Sequence, residues 1–196
     1  PALTVRGDSA PIILNSVVYV GLANGQVAAI DANNGSVRWM ATVALPKGTS
    51  DLSRIVDIDG DLLIEQGMMY AASYQGQVMA IDMASGRGVW ADPASTFHGV
   101  AAGFGNVYVV EDNSLVRSMN ATNGTQSWQN EQLLRRKLGQ PLAVGNYLLT
   151  ADFDGYIHLI SQVDGTIAGR AKAGAPVTVP LMYSQNLVYV LNSKGQ

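Results

Sequence analysis

The side chains best equipped for chemistry are few and scattered. Asp57, Asp59 and Asp61 stand at the first, third and fifth positions of what would be a calcium loop. The sixth position, where such a loop needs glycine for its sharp turn, is Leu62, and the twelfth, where it needs a bidentate glutamate, is Met68. No metal site is expected there. His98 and His158 each lack a second histidine at ligand spacing, so both read as structural. The absence of cysteine removes thiolate nucleophiles, thiolate metal sites and disulfides together, without choosing a redox compartment. No serine lies in a Gly-x-Ser-x-Gly turn and no glycine-rich phosphate loop is present. No catalytic residue, cofactor or metal ligand is expected.

Bulk composition narrows the partners. With 47% apolar residues over 196 positions, the chain can bury a substantial core. Its net charge is −3 and its longest basic run is Arg135-Arg136-Lys137, which argues against nucleic acid as a partner. No apolar run approaches the roughly 20 residues needed to cross a bilayer as a helix, and no secretion-signal pattern opens the sequence.

The elements that must hold these residues are written as a repeat. The stretch "VAAIDANNGSVRW" (27–39) returns as "VMAIDMASGRGVW" (78–90), and residues 107–128 and 148–169 fall into the same frame. A fifth copy begins at Val188. The anchors Tyr19, Tyr70, Tyr108, Leu149 and Tyr189 recur about every forty residues, the period of a propeller blade. One longer gap holds "PKGTSDLSRIVDIDG", which reads as an elaborated loop. A short apolar strand precedes each copy, so each unit reads as four antiparallel strands. The fold class is therefore an all-β propeller, a partial ring of about four and a half blades with repeats near 9–45, 60–95, 98–133, 139–174 and 177–196. An incomplete ring implies an open arc with exposed strand edges.

Within each copy, the pairs Asn24-Gly25, Asn34-Gly35, Gln75-Gly76, Ser85-Gly86, Asn113-Ser114, Asn123-Gly124, Asp154-Gly155 and Asp164-Gly165 read as hairpin turns of type I′. Trp39, Trp90 and Trp128 are all the tryptophans, each four residues after a turn glycine: Gly35, Gly86 and Gly124. Such a periodic set is expected to wedge between blades, burying on the order of 200 Å² per ring. The fourth copy has Gly165 in the turn but Gly169 in the tryptophan slot, so its packing must differ. The segment "NEQLLRRKLGQ" (130–140) reads as a connection between blades, with a short docking helix as the alternative.

The motif carried by Ala29, Asp31, Gly35 and Trp39 resembles the repeat of quinoprotein-type propellers. Three longer stretches, "LTVRGDSAP" (3–11), "LSRIVDIDGDLLIEQGMMYAASYQGQVMAID" (52–82) and "LLRRKLGQPLAVGNYLLTADFDGYIHLI" (133–160), resemble the C-terminal half of the BamB family of outer-membrane assembly lipoproteins. That resemblance implies an eight-bladed ring at the periplasmic face of the outer membrane of a Gram-negative bacterium. It implies tethering through a lipidated N-terminal cysteine of the full-length protein, absent from this sequence, and a non-catalytic scaffold role in the β-barrel assembly machinery. The implied partner is BamA, through its POTRA domains, with Leu3, Val5 and Arg6 in one contact segment and Asp57 and Asp59 in the other. Unfolded outer-membrane proteins are a second implied partner, able to add as strands at an exposed edge. The rival reading is a quinone-dependent dehydrogenase, whose adjacent cysteine pair and clustered calcium ligands have no counterpart in this sequence.

Overall fold

The computed structural model describes residues 9–22, 24–45, 58 and 60–196. Strands form where apolar and β-branched residues cluster between turn residues: MMYAA (68–72), NVYVV (106–110) and YLLTA (147–151) are near-continuous runs buried on both faces, while an outer strand such as QSWQN (126–130) alternates exposed and buried positions. The chain divides into two compact units, Pro1–Val100 and Ala101–Gln196.

The first unit holds two four-stranded antiparallel sheets with strands in chain order: β1 (Ile12–Leu14), β2 (Val17–Leu22), β3 (Gln26–Asp31) and β4 (Val37–Thr42), then β5 (Leu63–Glu65), β6 (Met68–Ala72), β7 (Gly76–Asp82) and β8 (Gly88–Ala94). Val27, Val43, Ile58, Met69 and Ile81 are buried together in its core. The second unit repeats the plan with β9 (Ala101–Gly103), β10 (Asn106–Val110), β11 (Val116–Asn120) and β12 (Gln126–Asn130), followed by β13 (Leu142–Val144), β14 (Tyr147–Ala151), β15 (Tyr156–Ser161) and β16 (Ile167–Lys172). A two-stranded sheet, β17 (Met182–Ser184) and β18 (Leu187–Tyr189), completes it. All four complete sheets are the antiparallel blades of a propeller repeat.

Register shows how each blade is tuned. Ile12, Tyr19, Ala29 and Trp39 lie in one row across the first sheet, and Leu63, Tyr70, Ala80 and Trp90 across the second. The third row is Ala101, Tyr108, Ser118 and Trp128. A small residue on the third strand leaves room for the two flanking rings, whose centroids lie 5.9, 6.0 and 5.7 Å apart in tilted pairs. The fourth row is Leu142, Leu149, Leu159 and Gly169. Here the bulk moves inward to the third strand, where Leu159 packs with Leu149, Val177 and Leu181. A bulge recurs just before the tryptophan slot in every blade, and the residues skipped are Arg38, Val89, Ser127 and Ala168.

Within each unit, the indole of one blade sits on the turn of the next. Trp39 Nε1 donates to Met83 O at 2.9 Å, and a Cβ added to Gly86 would lie 2.6 Å from its ring. Trp128 Nε1 donates to Gln162 O at 3.0 Å, and a Cβ on Gly165 would collide with that ring. Both glycines also hold left-handed backbone, with φ of +71° and +75°. Gly35, at φ +73°, would meet nothing within 4 Å in this chain.

The turns depart from the type I′ expectation. Consecutive left-handed residues, which define that turn, lie between the first two strands of a blade, at Asn15-Ser16, Gln66-Gly67, Phe104-Gly105 and Gln185-Asn186. Between the second and third strands, among the described residues, a single residue is left-handed: Gly25, Gln75, Ser114 or Gly155. In the third blade, Ser114 N–H donates to Glu111 O and Glu111 N–H to Leu115 O, closing a three-residue loop. Between the third and fourth strands the loop has four residues, and Gly35, Gly86, Gly124 and Gly165 donate back to Asp31, Asp82, Asn120 and Ser161. The repeated Asx residue is itself the cap. Asp31 accepts from Asn33 N–H, Asp82 from the Ser85 N–H and hydroxyl, and Asn120 from Thr122 and Asn123 N–H.

Candidate functional site

The partner-contact residues expected from the sequence, Leu3, Val5, Arg6, Asp57 and Asp59, lie outside the described residues. Asp61, the last member of the aspartate series, is described and accepts a hydrogen bond from Ala10 N–H at 3.3 Å. Among the described residues no group of three or more His, Asp or Glu side chains is placed to hold a metal ion.

The most densely built polar site lies in the second unit, around Asp152. This residue opens the turn between β14 and β15, directly after Thr150 and Ala151, which are buried on opposite faces, and its carboxylate is completely buried. One oxygen accepts from Tyr156 N–H at 2.8 Å. The other accepts from Arg136 Nε at 2.7 Å and lies 2.8 Å from His158 Nε2. Burial opposes ionisation of Asp152, but the hydrogen bonds from His158, Tyr156 N–H and Arg136 outweigh it and hold the carboxyl below its ordinary value. Arg136 also reaches Asp154 at 3.2 Å, so one guanidinium clamps both aspartates of the turn.

Around this anchor stand further cations. Tyr156 has Arg170, Arg136 and Lys172 at 5.0, 5.9 and 6.0 Å from its ring centroid, and Lys137 lies 5.0 Å from the ring of the exposed Phe153. Strand register makes this possible, since Tyr156 pairs with Lys172 and His158 with Arg170 across β15 and β16. A cleft of about 380 Å³ opens beside them, lined by Leu133, Arg136, His158, Ile167 and Arg170 among others.

The polar contacts of this cluster are satisfied within the chain. His158 is buried, its Nε2 is committed to Asp152, and the hydroxyl of Thr150, its neighbour across the strands, donates to Gly139 O at 2.9 Å. No activated nucleophile is thereby formed. The sequence shows His158 without a second histidine and carries no local sign of the carboxylate of Asp152 that it shares with Arg136. The segment 130–140 is a chain of turns that buries Leu133 and Leu138, with Arg135 and Lys137 in left-handed backbone, and it delivers Arg136 to Asp152.

A family model described as outer membrane protein assembly factor BamB matches residues 1–130. The chain belongs to the BamB family. A BamB from Pseudomonas aeruginosa is 40% identical over the whole chain, which covers 52% of that protein, and one from Legionella pneumophila is 34% identical, covering 51%. The chain thus spans about half the length of the curated BamB relatives it matches. The crystal structure of BamB from Moraxella catarrhalis superposes on the whole chain with a TM-score of 0.93 at 30% identity, covering 59% of that chain. A computationally designed protein, Ika8, shares the fold with a TM-score of 0.72 at 14% identity, over 94% of this chain and 55% of its own. The Asp152 cluster lies beyond the residues matched by the BamB family model, but within the stretch shared with the Pseudomonas and Moraxella proteins.

Proposed function

We propose that the chain is part of a non-catalytic scaffold of the outer-membrane β-barrel assembly machinery, working at the periplasmic face of the outer membrane. In this reading it binds the POTRA domains of BamA through Leu3, Val5 and Arg6 in one segment and Asp57 and Asp59 in the other. The observation that carries it is the family match over residues 1–130, which contains both segments. The chemistry suits a docking surface: two apolar side chains beside an arginine form a compact anchor, and paired carboxylates add orientation and encounter rate. A photoreactive residue placed at Arg6 or at Asp59 should cross-link to BamA in cell envelopes, whereas one at the exposed Val163 should not. Equal cross-linking from all three positions would remove the reading.

A further inference from the structure

The Asp152 cluster is not used by the proposed POTRA contacts, and its charge calls for a partner of its own. The chain is net negative, with 12 Lys and Arg against 15 Asp and Glu, yet Arg136, Lys137, Arg170 and Lys172 gather around the rings of Tyr156 and Phe153. Arg136 is neutralised by Asp152 and Asp154. Lys137, Arg170 and Lys172 are exposed, and among the described residues none makes an ion pair. Like charges held this close repel, and the faces of the two rings offset only part of that cost. An incoming carboxylate would complete the balance.

The cleft beside them adds shape to charge. Its volume of about 380 Å³ accommodates one or two side chains, with Leu133 and Ile167 as apolar walls and Arg136 and Arg170 lining it as well. A second cleft of about 340 Å³ shares Gln132 with the first and carries Glu131 and Asp164, so the sign of the charge reverses between them. A flat membrane surface calls for an evenly basic, level patch. A concave site whose charge changes sign fits an extended chain lying in one direction.

We propose that this cleft binds an acidic segment of a partner polypeptide, its carboxylates meeting Arg170, Lys172 and Lys137 and one apolar or aromatic side chain entering between Leu133 and Ile167. The test uses the full chain and a dye-labelled peptide of Glu and Asp around a single Phe, read by fluorescence anisotropy. A matched Lys peptide and phosphatidylglycerol vesicles serve as the other probes. The acidic peptide should bind, lose affinity as salt rises, and bind at least about tenfold more weakly to a variant carrying Arg170→Glu and Lys172→Glu. Near-ultraviolet circular dichroism of that variant should match the wild type, because both side chains are exposed. Its affinity for isolated POTRA domains should be unchanged, which separates this site from the contacts proposed above. Equal binding of acidic and basic peptides, indifference to the double substitution, or binding to the vesicles but not to the peptide would each overturn the proposal.

Discussion

At the scale of single residues, the repeat motif resolves into two jobs that share one turn. The Asx residue caps the loop between the third and fourth strands, and the glycine that follows must be both left-handed and bare wherever an indole from the preceding blade covers it. The two demands can be separated. Gly35→Ala should cost only the backbone penalty, about 1 kcal/mol, because its Cβ would meet open space. Gly86→Ala and Gly165→Ala should each cost about 1–3 kcal/mol more, since the new methyl would collide with Trp39 or Trp128. Denaturant midpoints of the three variants check this, and equal losses would contradict it. Trp128→Ala should cost about 3–5 kcal/mol, since the ring is 9% exposed and its Nε1 is hydrogen-bonded, whereas Trp39→Ala, on a ring that is only partly buried, should cost less. Urea unfolding followed by circular dichroism is a suitable readout.

At the scale of elements, sheet order was legible from sequence because neighbouring strands in a blade are also neighbours in the chain, so periodicity alone assigns them. The tyrosine and tryptophan slots read as anchors for the same reason: each row across a sheet repeats one residue pattern. Turn type was not legible from Asn-Gly and Asp-Gly pairs alone. An Asx cap and a back-donating glycine make loops of three or four residues from dipeptides that also suit type I′, and the real type I′ turns use Asn15-Ser16, Gln66-Gly67, Phe104-Gly105 and Gln185-Asn186. Phe104 holds φ +51° while 59% exposed, a poor place for an aromatic residue, so Phe104→Asn should raise stability by about 0.5–1 kcal/mol. A lowered melting temperature in that variant would count against the assignment. The tie between the 130–140 segment and the turn after β14 was invisible for a different reason: Arg136 and Asp152 meet through tertiary packing that no local pattern encodes. Removing it with Asp152→Asn should cost about 2–4 kcal/mol near neutral pH. Because the folded carboxyl titrates below its ordinary value of 3.8, its stabilising contribution is complete above that pH and is lost as pH falls through the folded value. The wild type should therefore lose stability on acidification below about pH 3.8, and the Asn variant should lose less over the same range. Parallel acid limbs for the two proteins would show that Asp152 is not the group responsible.

At the scale of the whole molecule, the chain belongs to the BamB family and is built of repeated propeller blades. The blades supply rigid edges and loops, and the two segments proposed for BamA flank the first blade in sequence, one before β1 and one before β5. Their residues were assigned through family resemblance, because a pair of apolar side chains beside an arginine, or two aspartates in a loop, carries no local mark that separates contact from covering or from turn formation. The most direct test is a calorimetric titration of the chain against isolated BamA POTRA domains, with wild type, Arg6→Ala and Asp57→Arg compared in one buffer. The account predicts saturable binding by the wild type and a loss of about tenfold or more in each variant, the charge reversal being the more severe. Three indistinguishable isotherms, or no heat from the wild type, would contradict it.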